Sequence, residues 1–337
     1  MRRRIALLIT LILALSLSSC AAPSYSATFY DVFDTVTTFT AYTDKPAKFD
    51  EWRDVLTDEL TAYHRLFDIY NTYEDYPQNL CAVNAAGGVP VVVDERITAL
   101  LDFGRDMYAF TGGKVDITMG AVLTLWHAER ENAAENPAAL PDADTLSASL
   151  AQIGWKGVYL DSENDTVQLK NGTSLDVGAI GKGWALEQVA QKLETAGCIG
   201  IINAGGNVRT LGEKPGSDYW TVRITHTLES SSPSQDIRIG AHTAVATSGD
   251  YQRYYTVDGE RYAHLIDPAT GYPARYMRAV SVVCDDAALA DALSTALFLM
   301  PIDEGLAFVD SLDGVEALFL DNEENWRYSD GFSAYLP

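Results

Sequence analysis

Asp291 is the one charged residue in an otherwise apolar or small run from Ala287 to Phe298. A carboxylate buried in such a run must be paired, protonated or metal-bound, because an uncompensated charge in an apolar interior is expensive. Thr295 follows four residues later, so the carboxylate and a hydroxyl share one helix face. Two hard oxygen donors at that spacing suit Mg2+. The same spacing also fits an exposed Asp291 on an amphipathic helix, with Thr295 bonding its own backbone.

The segment Asp176-Val177-Gly178-Ala179-Ile180-Gly181-Lys182-Gly183 reads as a strand end, a turn with three glycines, a lysine, and a helix start. Backbone N–H groups at a helix N-terminus favour phosphate, and Lys182 adds a point charge. The glycine spacing is not that of a P-loop, and no Ser or Thr follows Lys182. His264, ahead of Asp267-Pro268-Ala269-Thr270-Gly271, could take a proton from an attacking alcohol. A lone histidine also serves commonly as a hydrogen-bonded structural residue. Tyr70, Tyr73 and Tyr76 precede Asn84, and aromatic walls with polar anchors suit an isoalloxazine ring, though tyrosines at helical spacing equally suit a core.

These groups need a scaffold, and the periodicity predicts one. Phe29 to Tyr42 alternates as a half-buried strand or hairpin, and Asp50 to Tyr70 reads as a helix. A short strand at Val89 to Val93 and a helix from Glu95 to Thr111 follow, ended by Gly112-Gly113. His127 to Pro141 is polar and alanine-rich, which predicts a surface excursion. A helix is expected at Leu146 to Ile153, then strands at Gly157 to Gln168 and Ser174 to Val177 around the turn Asn171-Gly172. Trp184 to Ala196 has helical periodicity, Ile199 to Asn203 is a strand, and Leu228 to Ser234 is a serine-rich loop. Ala287 to Pro301 reads as a helix, with last strands at Ala317 to Leu320 and Trp326 to Ser329. Strands and helices mix without a βαβ period or internal repeat, which favours an α+β fold in one continuous unit.

At the N-terminus, Arg2, Arg3 and Arg4 precede an apolar or small stretch from Ile5 to Leu17, then Ser18-Ser19-Cys20. The stretch is too short to span a membrane, and a leucine with small residues before cysteine is what a lipoprotein signal peptidase accepts. The expectation is a signal peptide at 1–19, a lipidated Cys20 with a tether through residue 27, and a protein anchored outside the cytoplasm. The chain of 337 residues carries a formal charge of -23 and is 47% hydrophobic. It is therefore expected to be globular, and a nucleic-acid partner is not expected. So acidic a protein can bind an anionic nucleotide only by concentrating local positive charge. Beyond Cys20, the cysteines Cys81, Cys198 and Cys284 spell neither a zinc site nor a disulfide framework, and the last two read as small buried hydrophobes.

Taken in order, these blocks resemble the ApbE family of FAD:protein FMN transferases from about Thr28 onward. The resemblance rests on Phe33-Asp34-Thr35, Asn84, Gly113 to Thr118, and Asp176 to Gly183. It continues through Asn203-Ala204-Gly205-Gly206, Ser248-Gly249-Asp250-Tyr251, His264 to Gly271, and Ala290 to Ala296. It implies a mixed fold with antiparallel-rich sheets and packed helices over 28–337. It further implies FAD contacts at Phe33, Tyr73, Asn84, Lys114, Val115, Asp116, Asp176, Lys182 and Leu265, and Mg2+ held by Asp291, Thr295 and the carbonyl of Ala179.

The implied reaction is attack by a threonine hydroxyl of an acceptor flavoprotein on the FMN phosphorus of FAD, releasing AMP. Lys182 would then neutralise charge and His264 assist deprotonation. Three alternatives stay open at this level: hydrolysis of FAD to FMN and AMP, a non-catalytic FAD-binding lipoprotein, and a redox flavoprotein.

Overall fold

The structure, a computed structural model, describes residues 23–225, 234–251 and 253–337. The expected signal peptide, Cys20 and residues 228–233 of the serine-rich stretch lie outside the described residues.

The chain opens with a hairpin of β1 (Ser24–Val32) and β2 (Thr35–Tyr42), followed by α1 (Pro46–Phe67), α2 (Leu80–Ala85), β3 (Val91–Val92) and α3 (Glu95–Phe110). Next come α4 (Gly120–Asn132), α5 (Ala143–Leu150), β4 (Val158–Asp161), β5 (Thr166–Leu169) and α6 (Gly181–Thr195). A run of strands follows: β6 (Gly200–Ala204), β7 (Asn207–Leu211), β8 (Trp220–Thr225), β9 (Ser234–Ile239), β10 (Ala244–Gly249), β11 (Tyr254–Val257), β12 (Glu260–Ala263) and β13 (Ala279–Cys284). The chain closes with α7 (Ala287–Phe298), α8 (Ile302–Val309), β14 (Glu316–Leu320) and β15 (Trp326–Tyr328).

Eight strands form the central sheet in the order β1-β2-β6-β7-β10-β13-β14-β15, antiparallel throughout. The central strands β7, β13 and β14 are buried almost along their whole length, as in a sheet covered on both faces. Phe39, Ile202, Ala246, Val280 and Val282 join the core under α1, α6 and α7. Val208, Val245, Val283 and Leu318 point the other way, onto Trp220, Ile224 and Ile237 of the β8–β9 hairpin. A three-stranded sheet in the order β3-β5-β4 adjoins α2 and α3. The β11–β12 hairpin packs its Tyr255 and Tyr262 against Trp126 of α4. The fold is α+β, with antiparallel sheets and packed helices.

Two local expectations are corrected. The surface excursion expected at His127 to Pro141 begins only after Asn132, because its first residues belong to the helix α4, whose Val122 and Trp126 bury their side chains in a small separate core. Ser174 to Val177 is not a strand. It makes only an isolated bridge to Met119, and the hairpin partner of β4 is β5, turned at residues 162–165.

Candidate active site

α7 is buried along nearly its whole length, and Asp291 is its one charged residue. Its start is fixed by Asp286, whose carboxylate accepts from the N–H groups of Ala288 and Leu289 at 2.7 and 2.9 Å. Asp291 is 7% exposed and Thr295 9%, which excludes the exposed alternative. Asp291 Oδ2 accepts the N–H of Gly183 at 2.7 Å, so the carboxylate sits at the positive end of α6. Residue 183 must be glycine for this approach, since a β-carbon there would collide with the Asp291 side chain and the Ala287 carbonyl.

The other oxygen, Oδ1, has no hydrogen-bond partner among the described residues. A carboxylate oxygen without a donor, one helical turn from a hydroxyl, is a fit for a hard cation. No group of three His, Cys, Asp or Glu side chains capable of holding a metal occurs among the described residues. A cation here would thus rely on Asp291, Thr295, a backbone carbonyl such as that of Ala179, and water, which is how Mg2+ is usually held.

Lys182 lies on the same first turn of α6. Burial pushes its pKa down, the Asp291 charge opposes that, and Arg253 adds to it. No ion pair joins Lys182 to Asp291 among the described residues. His264 is pushed down to about 4 by burial, reinforced by the charges of Arg253, Arg130 and Lys182, while a hydrogen bond to the Arg253 backbone works against the fall. Its Nδ1 is buried without a partner. A neutral imidazole with an unused ring nitrogen can accept a proton. Burial raises the Asp176 pKa, partly offset by the N–H of Gly178 at 2.8 Å and the charges of Arg253 and His127.

The neighbouring blocks are tied together by backbone and amide bonds. Asp176 N–H donates to Ile117 O at 2.8 Å. The Asn84 amide is used at both ends on Leu175, donating to its carbonyl at 2.9 Å and accepting its N–H at 2.8 Å. Asp116 accepts from the N–H and hydroxyl of Thr118, and Lys114 Nζ reaches Asp267 at 3.4 Å. Val115 and Leu265 are buried at 0% and 7% exposure, so their side chains are core. Phe33 and Tyr73 meet through His64, at ring distances of 5.6 and 6.4 Å, and Tyr73 donates its hydroxyl to Asp68 at 2.6 Å. Phe67, at the end of α1, lies beside Gly181 at the start of α6.

The structure adds residues that the spacing arguments missed. Arg253 acts electrostatically on His264, Asp176, Lys182 and Tyr70 together. Arg130 pairs with His127 at 2.6 Å, and His127 stacks near Tyr70 at 5.0 Å. This is the local positive charge that an acidic nucleotide-binding protein requires. Arg253 lies two residues beyond the Ser248 to Tyr251 block, and that adjacency was its available signal. Arg130 and His127 were hidden with the unread helix α4.

The ApbE family model matches residues 33–319. The chain is 34% identical to the FAD:protein FMN transferase of Treponema pallidum over 270 residues, 75% of this chain and 73% of that one. It is 30% identical to the FAD:protein FMN transferase of Klebsiella pneumoniae over 276 residues, 76% of this chain and 81% of that one. Among solved structures, the ApbE protein of Thermotoga maritima superposes with a TM-score of 0.83 at 28% identity, covering 94% of this chain and 100% of that one. The order of the motifs, the all-antiparallel central sheet and these matches have one common explanation: the chain belongs to the ApbE family.

Proposed function

We propose that this protein is a Mg2+-dependent FAD:protein FMN transferase that joins FMN to a threonine of an acceptor flavoprotein. The observation that carries the proposal is the buried Asp291, with one oxygen unpartnered, beside the Lys182 turn. In the reaction, the threonine hydroxyl oxygen forms a bond to the FMN phosphorus as the bond from that phosphorus to the AMP phosphate oxygen breaks. The hydroxyl proton passes to His264, whose buried Nδ1 is free to take it, and AMP leaves as the anion. Lys182, Arg253 and Arg130 hold the diphosphate and offset its charge. When bound at Asp291 and Thr295, with the Ala179 carbonyl, Mg2+ supplies further charge neutralisation to the diphosphate. The aromatic side chains of Phe33 and Tyr73, with Lys114 and Asp116, line the FAD side of the site, while Val115 and Leu265 support it from the core.

The test is to incubate the full chain in detergent with FAD, Mg2+ and a threonine-containing acceptor domain, and to weigh the acceptor by mass spectrometry. A gain of one FMN, lost with EDTA or with Asp291→Ala, is expected. FMN and AMP released without gain on the acceptor would instead make the protein a FAD hydrolase, and bound, intact FAD would make it a carrier. The N-terminal pattern supports export and lipidation at Cys20, with the enzyme anchored to the outer face of a membrane. Labelling by a radioactive fatty acid that survives Cys20→Ala would contradict this.

A further inference from the structure

We infer that Asn207, together with Thr37, is a positioning residue of the cation site, holding a cation-bound water from the sheet side. The inference rests on reading Asp291 as a cation ligand.

Asn207 and Thr37 are each 1% exposed. Both amide atoms of Asn207 and the hydroxyl of Thr37 lack a hydrogen-bond partner, and these are three of the eight such buried side-chain atoms among the described residues. The three belong to one place. Thr37 lies opposite Ala204 and Ala204 opposite Asn207, so the three residues form a row on one face of β2, β6 and β7. At about 4.8 Å per strand the outer two are roughly 10 Å apart at Cα. Only the methyl group of Ala204 stands between them in the row, so neither side chain has a polar neighbour along it.

Two anchors locate this row beneath the metal-site residues. Further along β7, Arg209 bonds Glu187 of α6, and the same carboxylate accepts the N–H of Ala287, the first residue of α7. Arg209 also reaches Glu194, whose carboxylate meets His242 just before β10, so α6 runs along β7 with Gly183 toward the Asn207 end. At that end, Ser248 of β10 meets Ser294 of α7 at 2.9 Å. Asp291 falls between Ala287 and Ser294 on α7, and Asn207 falls between the same two anchors on the sheet. Asn207 therefore lies on the sheet beneath the seam where Gly183 and Asp291 touch.

A buried amide left without partners carries the full desolvation cost of its groups, and it persists where a ligand or ordered water completes it. Mg2+ keeps several of its waters when bound. Outer partners of such ligands typically contribute 10- to 100-fold in metal affinity.

The test is Mn2+ binding to the full chain in detergent, followed by the free-ion electron paramagnetic resonance signal, for wild type, Asn207→Leu and Thr37→Val. We expect both variants to bind Mn2+ more weakly, Asn207→Leu by about 10- to 100-fold. We also expect the metal-free melting temperature of Asn207→Leu to match or exceed that of wild type, because a residue needed only for packing would lower it. Variants that bind Mn2+ within twofold of a wild type that binds it would overturn this inference alone. A wild type with no Mn2+ site would overturn the Asp291 reading and this inference with it. If Asn207→Leu fails to fold, Thr37→Val decides the matter by the same affinity criterion.

Discussion

At the residue scale, the chemistry depends on environments that shift ordinary side chains. His264 is held near 4 by burial and by the charges of Arg253, Arg130 and Lys182, so it is neutral at physiological pH and can act as a base. The acid limb of kcat/KM for transfer is accordingly expected near pH 4 rather than near 6.5. Arg253→Gln removes a charge that lowers the His264 pKa, so it should move that limb to higher pH, and a pH–rate profile checks this. His264→Ala is expected to slow transfer roughly 10²- to 10⁴-fold with FAD binding retained; a full rate would remove the histidine from the mechanism. The same shift bears on stability. A histidine with a depressed folded pKa contributes fully above its unfolded pKa, and the contribution is lost as pH falls from about 6.5 toward 4.

At the element scale, the seam between α6 and α7 is the decisive junction. Gly183 lets Asp291 approach closely enough to accept its N–H, and the apolar neighbours of Asp291 on α7 leave that carboxylate largely buried. Gly183→Ala is expected to destabilise the protein by about 1–3 kcal/mol through overpacking against backbone and Asp291. Urea unfolding measures the loss. Cation affinity should fall with it, since the collision displaces the proposed ligand itself; a variant with unchanged stability would show that the seam is looser than the contacts imply.

At the scale of the whole molecule, the site is assembled from segments spread along the chain and held by one sheet and one buried ion pair. Arg209 and Glu187, each 4% exposed at the side chain, connect β7, α6 and the start of α7. Arg209→Met leaves Glu187 buried without its cation, at an expected cost of about 3–5 kcal/mol in urea unfolding. Burial alone would raise the Glu187 pKa, but the bonds from Arg209, the Ala287 N–H and Gln191 outweigh it and hold it below the usual range. The stability it contributes is present above the ordinary glutamate pKa of 4.5 and lost as pH falls through its lower folded value. Arg209→Met should flatten that part of the stability–pH curve.

The sequence alone determined what local pattern encodes. Alternation from Phe29 to Tyr42 specified half-buried extended chain, the run around Asp291 specified a helix with one isolated carboxylate, and the glycine-rich turn at Lys182 specified a helix start. Those features depend on residues close in the chain, so period and composition carry them. Where local pattern was weak, as in α4 with its solvated polar tail, the helix went unread and Arg130 and His127 with it. Only the tertiary structure decided that Asp291 meets Gly183, 108 residues away, that Asn84 spends its amide on Leu175, 91 residues away, and that Thr37 and Asn207, both buried and unpartnered, fall in one row across β2, β6 and β7. Such pairings are set by strand register and helix packing, which depend on the shape of the assembled core and leave no mark in any single stretch of sequence.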